Sequence, residues 1–315
     1  MPIERIDYMI LAAPLQGYTE VPWRRFHREI YGEGIDSYFT PFIRVEDGEV
    51  RPKDLKDTTS ELNEGVPLVP QIIFKDAIEF QTLVEDLKVR GFKRIDLNLG
   101  CPFPPQVKRG RGSGCIVNRK VMSSIFELIQ TEYKYIRFSI KMRLGAKEPD
   151  EWQCIIDAIN QTPLEYVALH PRIGSQQYKG ELNLEAFRRF LETCRHPLIF
   201  NGEIHSSEDI ARINSEFSDV AGVMIGRGLL ARPSLAAEYC SGKDWSREVR
   251  LEKLLHLHQS IFNYYQGCLC GESQILQKIK PFWDYIEPEI GHKAAKAIKK
   301  SITLSKYMGA VNNID

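Results

Sequence analysis

Short apolar runs, each about the length of one β-strand, recur between residues 8 and 225. The eight runs span 8–13, 36–39, 69–74, 94–99, 136–142, 166–170, 198–201 and 220–225. Between most of them apolar residues recur at helical spacing, at 21–30, 76–90, 119–132, 150–161, 184–193 and 207–214. This alternation favours parallel strands, because each crossover must return the chain to the same end of the sheet. Eight repeats predict an α/β fold, a parallel (β/α)8 TIM barrel.

A different pattern begins after the polar segment 241–247. Apolar residues between 251 and 262 lie on one face of an amphipathic helix. A second helix is predicted at 275–286, interrupted at Pro281, and a third at 291–307. We therefore predict two domains, a catalytic barrel at 1–240 and a small all-helical domain at 241–315.

The composition is that of an ordinary folded protein, with 43% hydrophobic and 27% charged residues among 315. No apolar run approaches the roughly 20 residues of a membrane span, and the first residues do not resemble a secretion signal. Cys268 and Cys270 are separated by one residue, whereas metal-binding pairs usually have two. We expect a cytoplasmic protein with no membrane span and no metal site. Because the formal net charge is +0, a nucleic-acid partner must be met by a local basic patch.

Polar residues and glycines collect where the predicted strands end, which is the end of a barrel that carries the active site. Gln71 and Asn98 have both donors and acceptors, which suits a heterocycle such as a flavin or a pyrimidine. Gly226-Arg227-Gly228 and Asn201-Gly202-Glu203 suit a phosphate, although plain turns are the alternative. Lys141 suits an anionic reduced cofactor or a ligand oxygen. Lys141 on the surface and His170 in a structural hydrogen bond are the alternatives to functional roles.

Cys101 lies between Gly100 and Pro102 at the end of the fourth strand. A thiol with an ordinary pKa of about 8.5 is largely protonated at neutral pH and is able to donate a proton. This chemistry matches a reduction in which a hydride reaches one carbon and a proton reaches its neighbour. A buried structural cysteine is the alternative.

These residues belong to stretches through which the chain resembles the tRNA-dihydrouridine synthase family over essentially its whole length. The stretches are LAAPLQGYT (11–19), DLNLGCP (96–102), KMR (141–143), HPR (170–172), YKG (178–180), NGEI (201–204) and IGRG (225–228). The resemblance implies an FMN-containing barrel, a helical tRNA-binding domain, NADPH as reductant, and the C5–C6 double bond of a tRNA uridine as substrate. The KIK stretch (278–280) and the FW stretch (282–283) resemble the C-type bacterial branch of the family.

The resemblance also implies roles for individual residues. Cys101 would protonate uridine C5, Asn98 would position the base, and Arg172 would lie by the base or the flavin phosphate. The residues implied to hold FMN are Pro14, Leu15, Gln16, Gln71, Lys141, His170, Asn201, Gly202, Glu203, Gly226 and Arg227. The sequence departs from the family pattern at Leu15 and Gln16, where methionine and a small residue are more common, and at Pro171, where glycine is common.

A basic surface for tRNA is predicted in the helical domain. Lys293, Lys296 and Lys300 are spaced to share one helix face, with Ala294, Ile298 and Ile302 on the opposite side. Lys278 and Lys280 extend the basic region. The alternative is a solvated face of an amphipathic helix.

Two other functions remain possible from the sequence. One is a flavin barrel that reduces a free pyrimidine or another small enone. The other is a tRNA-binding protein whose flavin site is vestigial. In every case we expect a monomer.

Overall fold

The strands of the structure follow the predicted alternation. In the computed structural model, which describes residues 8–32 and 34–314, the strands in chain order are β1 Met9–Ala12, β2 Ser37–Phe39, β3 Val45–Glu46, β4 Glu49–Val50, β5 Leu68–Val69, β6 Gln71–Ile72, β7 Arg94–Leu99, β8 Arg137–Gly145, β9 Leu164–Ile173, β10 Leu198–Asn201 and β11 Gly222–Ile225. β3 and β4 form a separate antiparallel hairpin. The other nine form one parallel sheet in the order β5-β2-β1-β11-β10-β9-β8-β7-β6.

Pro70 divides the third strand of the barrel into two short pieces. β5 pairs with β2 on one side, and β6 pairs with β7 on the other. The single strand predicted at 69–74 is therefore wrong in detail, because proline has no N–H to donate to a strand ladder. Together β5 and β6 occupy one position of an eight-stranded parallel barrel. The predicted fold class is confirmed.

The interior of the barrel combines an apolar cluster with polar side chains. Its apolar part consists of the buried side chains of Leu11, Ala13, Phe39, Val69, Tyr166, Ala168, Ile199 and Met224. Toward the carboxyl ends of the strands the inward side chains become polar, among them Gln71, Asn98 and Lys141. This change of character leaves a polar floor under the end of the barrel at which active sites form.

Helices cover the outside of the barrel and make up the carboxyl-terminal segment. In chain order they are α1 Val21–Tyr31, α2 Pro52–Thr58, α3 Ala77–Val89, α4 Pro104–Lys108, α5 Arg119–Thr131, α6 Ile156–Gln161, α7 Leu184–Thr193, α8 Ser207–Glu216, α9 Arg227–Ala231, α10 Leu235–Ser241, α11 Arg247–Cys268, α12 Glu272–Ile279, α13 Glu287–Lys300 and α14 Leu304–Val311. Asp76, Asn118, Asn183 and Ser206 accept a backbone N–H at the starts of α3, α5, α7 and α8. The helix predicted at 150–161 instead begins with the 3-10 turn Glu151–Cys154.

The carboxyl-terminal helices have an aromatic core of their own. Trp283 Nε1 donates to the Tyr307 hydroxyl at 2.8 Å, and that hydroxyl lies 2.6 Å from His258 Nε2. α11 packs against α1 of the barrel. α10 ends at Ser241 and α11 begins at Arg247, and the domain boundary near 240 stays a prediction.

The single helix predicted at 291–307 is wrong. α13 begins at Glu287, is kinked at Gly291, where φ is 81°, and ends at Lys300. Lys280 Nζ donates to the carbonyl oxygens of Lys299 and Ser301, at 3.0 and 2.5 Å, and so satisfies the end of this helix. α14 then starts anew with Thr303 as its N-cap. As a result Ile302, expected on an apolar face, is 77% exposed.

None of the helices in residues 8–32 and 34–314 has the length and apolar character needed to cross a membrane. The predicted cytoplasmic location stays a prediction.

Candidate active site

A cavity of about 630 Å³ opens at the carboxyl ends of the barrel strands. Its size suits a cofactor or a small ligand. The predicted site residues that line it are Pro14, Leu15, Gln16, Gln71, Asn98, Cys101, Lys141, His170, Asn201, Gly202, Glu203, Gly226 and Arg227. The barrel therefore brings together side chains that are up to 213 positions apart in the sequence, from Pro14 to Arg227.

Cys101 lies in the wall of this cavity, just after β7. Its backbone N–H donates to Asn98 Oδ1 at 2.8 Å, and its carbonyl oxygen accepts from the Ser113 N–H at 3.1 Å. A Cβ on Gly112 would lie 2.8 Å from the Cys101 Cβ, so only glycine fits beside the cysteine. Burial raises the pKa of the Cys101 thiol, which keeps the proton on sulfur at neutral pH.

Lys141 places an ammonium group in the cavity. Burial, with a smaller effect of the nearby Arg143, lowers its pKa to about 8, while the Asp96 carboxylate acts in the opposite direction. In the described residues no hydrogen bond or ion pair to the Lys141 ammonium is found, although almost every other buried cation here has one. Its three donors are thus available to a ligand with acceptor oxygens or nitrogens.

His170 is held as a neutral imidazole. Burial lowers its pKa well below 6.5, and the cations Arg143 and Lys141 add to this effect. Arg172 Nη1 lies 3.3 Å from His170 Nε2. Because a guanidinium only donates, Nε2 is the acceptor and the ring proton is on Nδ1.

Glu203 joins the two arginines of the site. Its Oε1 accepts from Arg172 Nη1 and from Arg227 Nη2, both at 2.7 Å, and its Oε2 lies 3.0 Å from His205 Nε2. Although burial opposes ionisation, the hydrogen bonds from His205 and Arg172 and the charge of Arg227 lower the pKa of Glu203 to about 2. The network stays charged throughout the neutral range.

Among the predicted residues of the cofactor and base site, Arg172 is the one that does not line the cavity. Its guanidinium is 4% exposed and also donates to the Gly180 carbonyl oxygen, at 2.7 Å from Nη2. It therefore contacts Glu203 and His170 from the side that faces away from the cavity. The direct contact with a base or a flavin phosphate stays a prediction.

The five lysines predicted to bind substrate lie outside the cavity, in two groups. Lys278 pairs with Glu20 of the barrel at 2.5 Å, and Lys280 is occupied at the end of α13. Lys293, Lys296 and Lys300 are exposed along α13. Only the second group presents cations to solvent without a partner in the described part of the chain.

Several residues that line the cavity were not among the predicted site residues, and four of them stand out: Arg143, Tyr178, Phe103 and Tyr285. Arg143 and Arg227 lie 5.5 and 4.5 Å from the centre of the Tyr178 ring, so this ring contacts two guanidinium groups. Phe103 is 57% exposed beside Cys101, and Tyr285 reaches the cavity from the helical segment. The KMR and YKG stretches signalled Arg143 and Tyr178, whereas no periodicity or motif signals Tyr285.

The turns after β10 and β11 pack directly on each other. A Cβ on Gly228 would overlap the carbonyl oxygen of Ile204, so glycine is required at this contact. Arg227, which precedes Gly228, lines the cavity beside Gly202 and Gly226. These backbone turns and one guanidinium form a region suited to a phosphate.

The fold and the cavity define a (β/α)8-barrel protein with a polar site at the carboxyl ends of its strands. The sequence pattern of the dihydrouridine synthase (Dus) family matches residues 10–300. The chain belongs to this family, as predicted. The predicted reaction class, an NAD(P)H-dependent flavin oxidoreductase, is confirmed with it.

Curated relatives support this assignment. A probable tRNA-dihydrouridine synthase of Staphylococcus aureus strain COL is 28% identical over 264 residues, which cover 81% of this chain and 78% of the relative. One of Helicobacter pylori strain J99 is 28% identical over 232 residues, covering 71% and 67%.

Solved structures share the fold at low identity. The old yellow enzyme from Trypanosoma cruzi aligns with a TM-score of 0.51 and 9% identity over 78% of this chain and 92% of its own. Histamine dehydrogenase from Rhizobium sp. 4-9 aligns with a TM-score of 0.51 and 12% identity over 81% of this chain, which spans only 48% of that protein. At these identities both comparisons show the fold alone.

Proposed function

We propose that this protein is an FMN-dependent tRNA-dihydrouridine synthase that uses NADPH to reduce the C5–C6 double bond of a uridine in tRNA. The observation that carries the proposal is the position of the protonated Cys101 thiol in the same cavity as the Lys141 ammonium, which has no partner among the described residues. A reduction of this kind needs a proton donor beside a site for a reduced, electron-rich cofactor.

The residues of the cavity fit a flavin. Lys141 supplies donors with no partner in the described chain, and Gln71 and Asn201 supply amide groups from neighbouring parts of the barrel. Gly202, Gly226 and Arg227 fit the phosphate that distinguishes FMN from riboflavin. When bound, the flavin supplies the hydride for uridine C6.

The chain's own residues complete the reaction. Cys101 holds a proton at Sγ and delivers it to uridine C5. Lys141 stabilises negative charge in the cavity, and Asn98 orients the base. The thiol is half-buried rather than sealed, so a base that has left its stack is able to reach it.

A tRNA substrate is supported by the way the helical segment meets the cavity. Tyr285 lines the cavity, and Tyr18 and Tyr285 contact each other edge to face with ring centroids 5.4 Å apart. The same segment exposes Lys293, Lys296 and Lys300 along α13. The helical segment therefore contributes both to the cavity wall and to an exposed basic surface, as a tRNA-binding role requires. The sequence features in 278–283 favour the C-type branch.

The experiment that tests the reaction is nucleoside mass spectrometry of unmodified tRNA incubated with the protein, FMN and NADPH. Dihydrouridine at one defined position is the expected product, and nuclease mapping identifies that position. Absence of product from several tRNAs, with a bound and reducible flavin, would contradict the proposal. In that case, reduction of free uracil in a parallel assay would favour the small-substrate alternative.

The identity of the cofactor has its own test. We expect Arg227→Ala to weaken binding of FMN about tenfold or more while leaving riboflavin affinity within about threefold, because one charge-assisted contact to the phosphate is lost. Fluorescence quenching of each flavin measures this difference. Equal losses of affinity for FMN and riboflavin would show that Arg227 does not contact the phosphate.

A further inference from the structure

A continuous chain of hydrogen bonds connects the interior of the barrel with the Cys101 loop. Gln71 Nε2 lies 2.7 Å from Asp96 Oδ2, and Asn98 Nδ2 lies 2.7 Å from Gln71 Oε1. Asn98 Oδ1 then faces the backbone N–H groups of Gly100 and Cys101, at 3.1 and 2.8 Å. Asp96 is 0% exposed and Gln71 is 1% exposed, so neither exchanges these partners for water.

The backbone end of this chain determines its direction. The Asn98 atom that faces two backbone N–H groups must be the acceptor oxygen. Asn98 Nδ2 therefore faces Gln71, whose facing atom must be Oε1. The remaining Gln71 group, Nε2, must then face Asp96.

The buried end requires the same direction independently. Asp96 Oδ1 already accepts from the Ser139 hydroxyl at 2.6 Å. Burial raises the pKa of Asp96 to about 6, so at neutral pH the carboxylate is mostly ionised and has no donor. Gln71 must therefore present its amide nitrogen to Asp96. Asp96 and Gln71 are register partners on neighbouring strands, which holds the two groups side by side.

The direction of the chain decides what the site offers to a ligand. Both acceptor positions of the Asn98 oxygen are taken by the loop, and only the second N–H of Asn98 Nδ2 is left for the cavity that Asn98 lines. Such a donor pairs with a carbonyl oxygen, such as O2 or O4 of uracil, and not with an amino group, such as N4 of cytosine.

We propose that Asp96 is a positioning residue that, through Gln71, holds the Asn98 amide so that it donates to a carbonyl oxygen of the substrate base. This inference rests on the proposed function. Asp96 touches neither base nor cofactor. Without its acceptor, Gln71 keeps a buried unpaired amide nitrogen, turns away, and leaves Asn98 held from the loop side alone.

The matched pair Asp96→Asn and Asp96→Leu separates the loss of the hydrogen-bond acceptor from the loss of the negative charge. The two variants have the same number of side-chain heavy atoms and lose the same charge beside Lys141. Only asparagine still accepts from Gln71, with its own amide nitrogen turned to the Ser139 hydroxyl. Ser139→Ala is the control that removes a hydrogen bond from Asp96 without touching the chain to Asn98.

The readout is the effect of replacing one oxygen of the base by sulfur, a weaker acceptor. Single-turnover reduction is compared for tRNA carrying uridine, 2-thiouridine or 4-thiouridine at the reactive position. We expect wild type, Asp96→Asn and Ser139→Ala to prefer oxygen by about tenfold at one of the two carbonyls. In Asp96→Leu the preference should fall below about threefold. An unchanged preference in folded Asp96→Leu would overturn the inference.

A second measurement needs neither a variant nor activity. Neutron diffraction from perdeuterated wild-type crystals locates the deuterium atoms of both amides. Deuterium on the Gln71 atom facing Asp96 supports the inference, and deuterium on the atom facing Asn98 overturns it. Absence of dihydrouridine with every tRNA would count against the proposed function, whereas reversed amides would count against this inference alone.

Discussion

The Tyr18 hydroxyl donates a hydrogen bond to Asp284 Oδ2 at 3.0 Å. Tyr18 follows the cavity-lining residues Pro14 to Gln16, and Asp284 belongs to the helical segment. Lys278 and Glu20 make a second connection between the same two parts of the protein. The first loop of the barrel is thus fixed to the helical segment by two polar contacts, at Tyr18 and at Glu20.

Replacing Lys278 tests whether it is a structural residue. We expect Lys278→Met to lower the free energy of unfolding by about 1 kcal/mol, because a partly exposed ion pair with Glu20 is lost. Affinity for tRNA should change less than twofold. Urea unfolding and filter binding measure the two effects, with Glu20→Gln as the matched partner variant. A large loss of tRNA affinity would instead identify Lys278 as a phosphate contact.

The exposed lysines of α13 should behave differently. We expect Lys296→Glu with Lys300→Glu to weaken tRNA binding at least tenfold and to reduce the salt dependence of the affinity, because two phosphate contacts are lost. Bound flavin should not change. Titrations at several salt concentrations measure the slope.

The control for this pair is Lys93→Glu with Lys134→Glu. These exposed lysines precede β7 and β8 and so lie at the opposite end of the barrel, while the change in net charge is identical. Equal losses of affinity in both double variants would mean that overall charge, not the α13 surface, determines binding.

Removing the thiol should separate chemistry from binding. We expect Cys101→Ala to slow single-turnover reduction by about 10²–10⁴-fold, the usual contribution of a general acid, with flavin and tRNA binding unchanged. Cys270→Ala, at an exposed position, is the control. Product formation at the wild-type rate in Cys101→Ala would rule out the proton-donor role.

The pH dependence follows from the raised pKa of Cys101. A donor must be protonated, so the wild-type rate should stay level through neutral pH and fall only as the pH rises past the ordinary thiol range. A pH profile of single-turnover rates checks this, with Cys101→Ala lacking the alkaline fall that wild type shows. A fall that begins near pH 7 would assign the proton to another group.

The charge of Lys141 should destabilise the folded protein when no flavin is bound. Its pKa of about 8 lies below that of an unfolded lysine, 10.5, so its charge destabilises the folded protein fully below pH 8. We expect Lys141→Met to raise the free energy of unfolding of the flavin-free protein by about 1–3 kcal/mol at pH 7. The gain should fade as the pH rises from 8 to 10.5.

The same variant should bind flavin less tightly, and urea unfolding with and without flavin measures both effects. Lys147→Met, at an exposed position, is the control. A flavin-free Lys141→Met protein less stable than wild type would show that the ammonium has a stabilising partner in the folded chain.

The sequence predicted the barrel well because its strands and helices have distinct periods. The positions of Gln71, Asn98, Lys141 and His170 followed from one rule, that parallel strands end at the same face. The orientation of Arg172 did not follow, because alternation along β9 places its side chain without revealing that Glu203 lies in front of it. Other contacts between segments that are far apart in the sequence could not be predicted from the sequence either.

The helical segment was predicted less accurately. Apolar spacing continues through 291–307, but Lys280 ends α13 by binding its last carbonyl oxygens. That contact joins residues about 20 positions apart, and local spacing carries no sign of it. The ion pair between Lys278 and Glu20 could not be predicted from the sequence for the same reason. Two of the five predicted lysines, Lys278 and Lys280, thus have partners within the protein.

The pairing of β1 with β11 has a consequence for how the protein is made on the ribosome. Met9 is the register partner of Gly222, so the barrel remains open until more than two hundred further residues have emerged. The turns that hold Gly202 and Arg227 meet the Pro14 loop only at that moment. A nascent chain therefore acquires its strand-end cavity in one late step, after which Tyr285 adds the last wall.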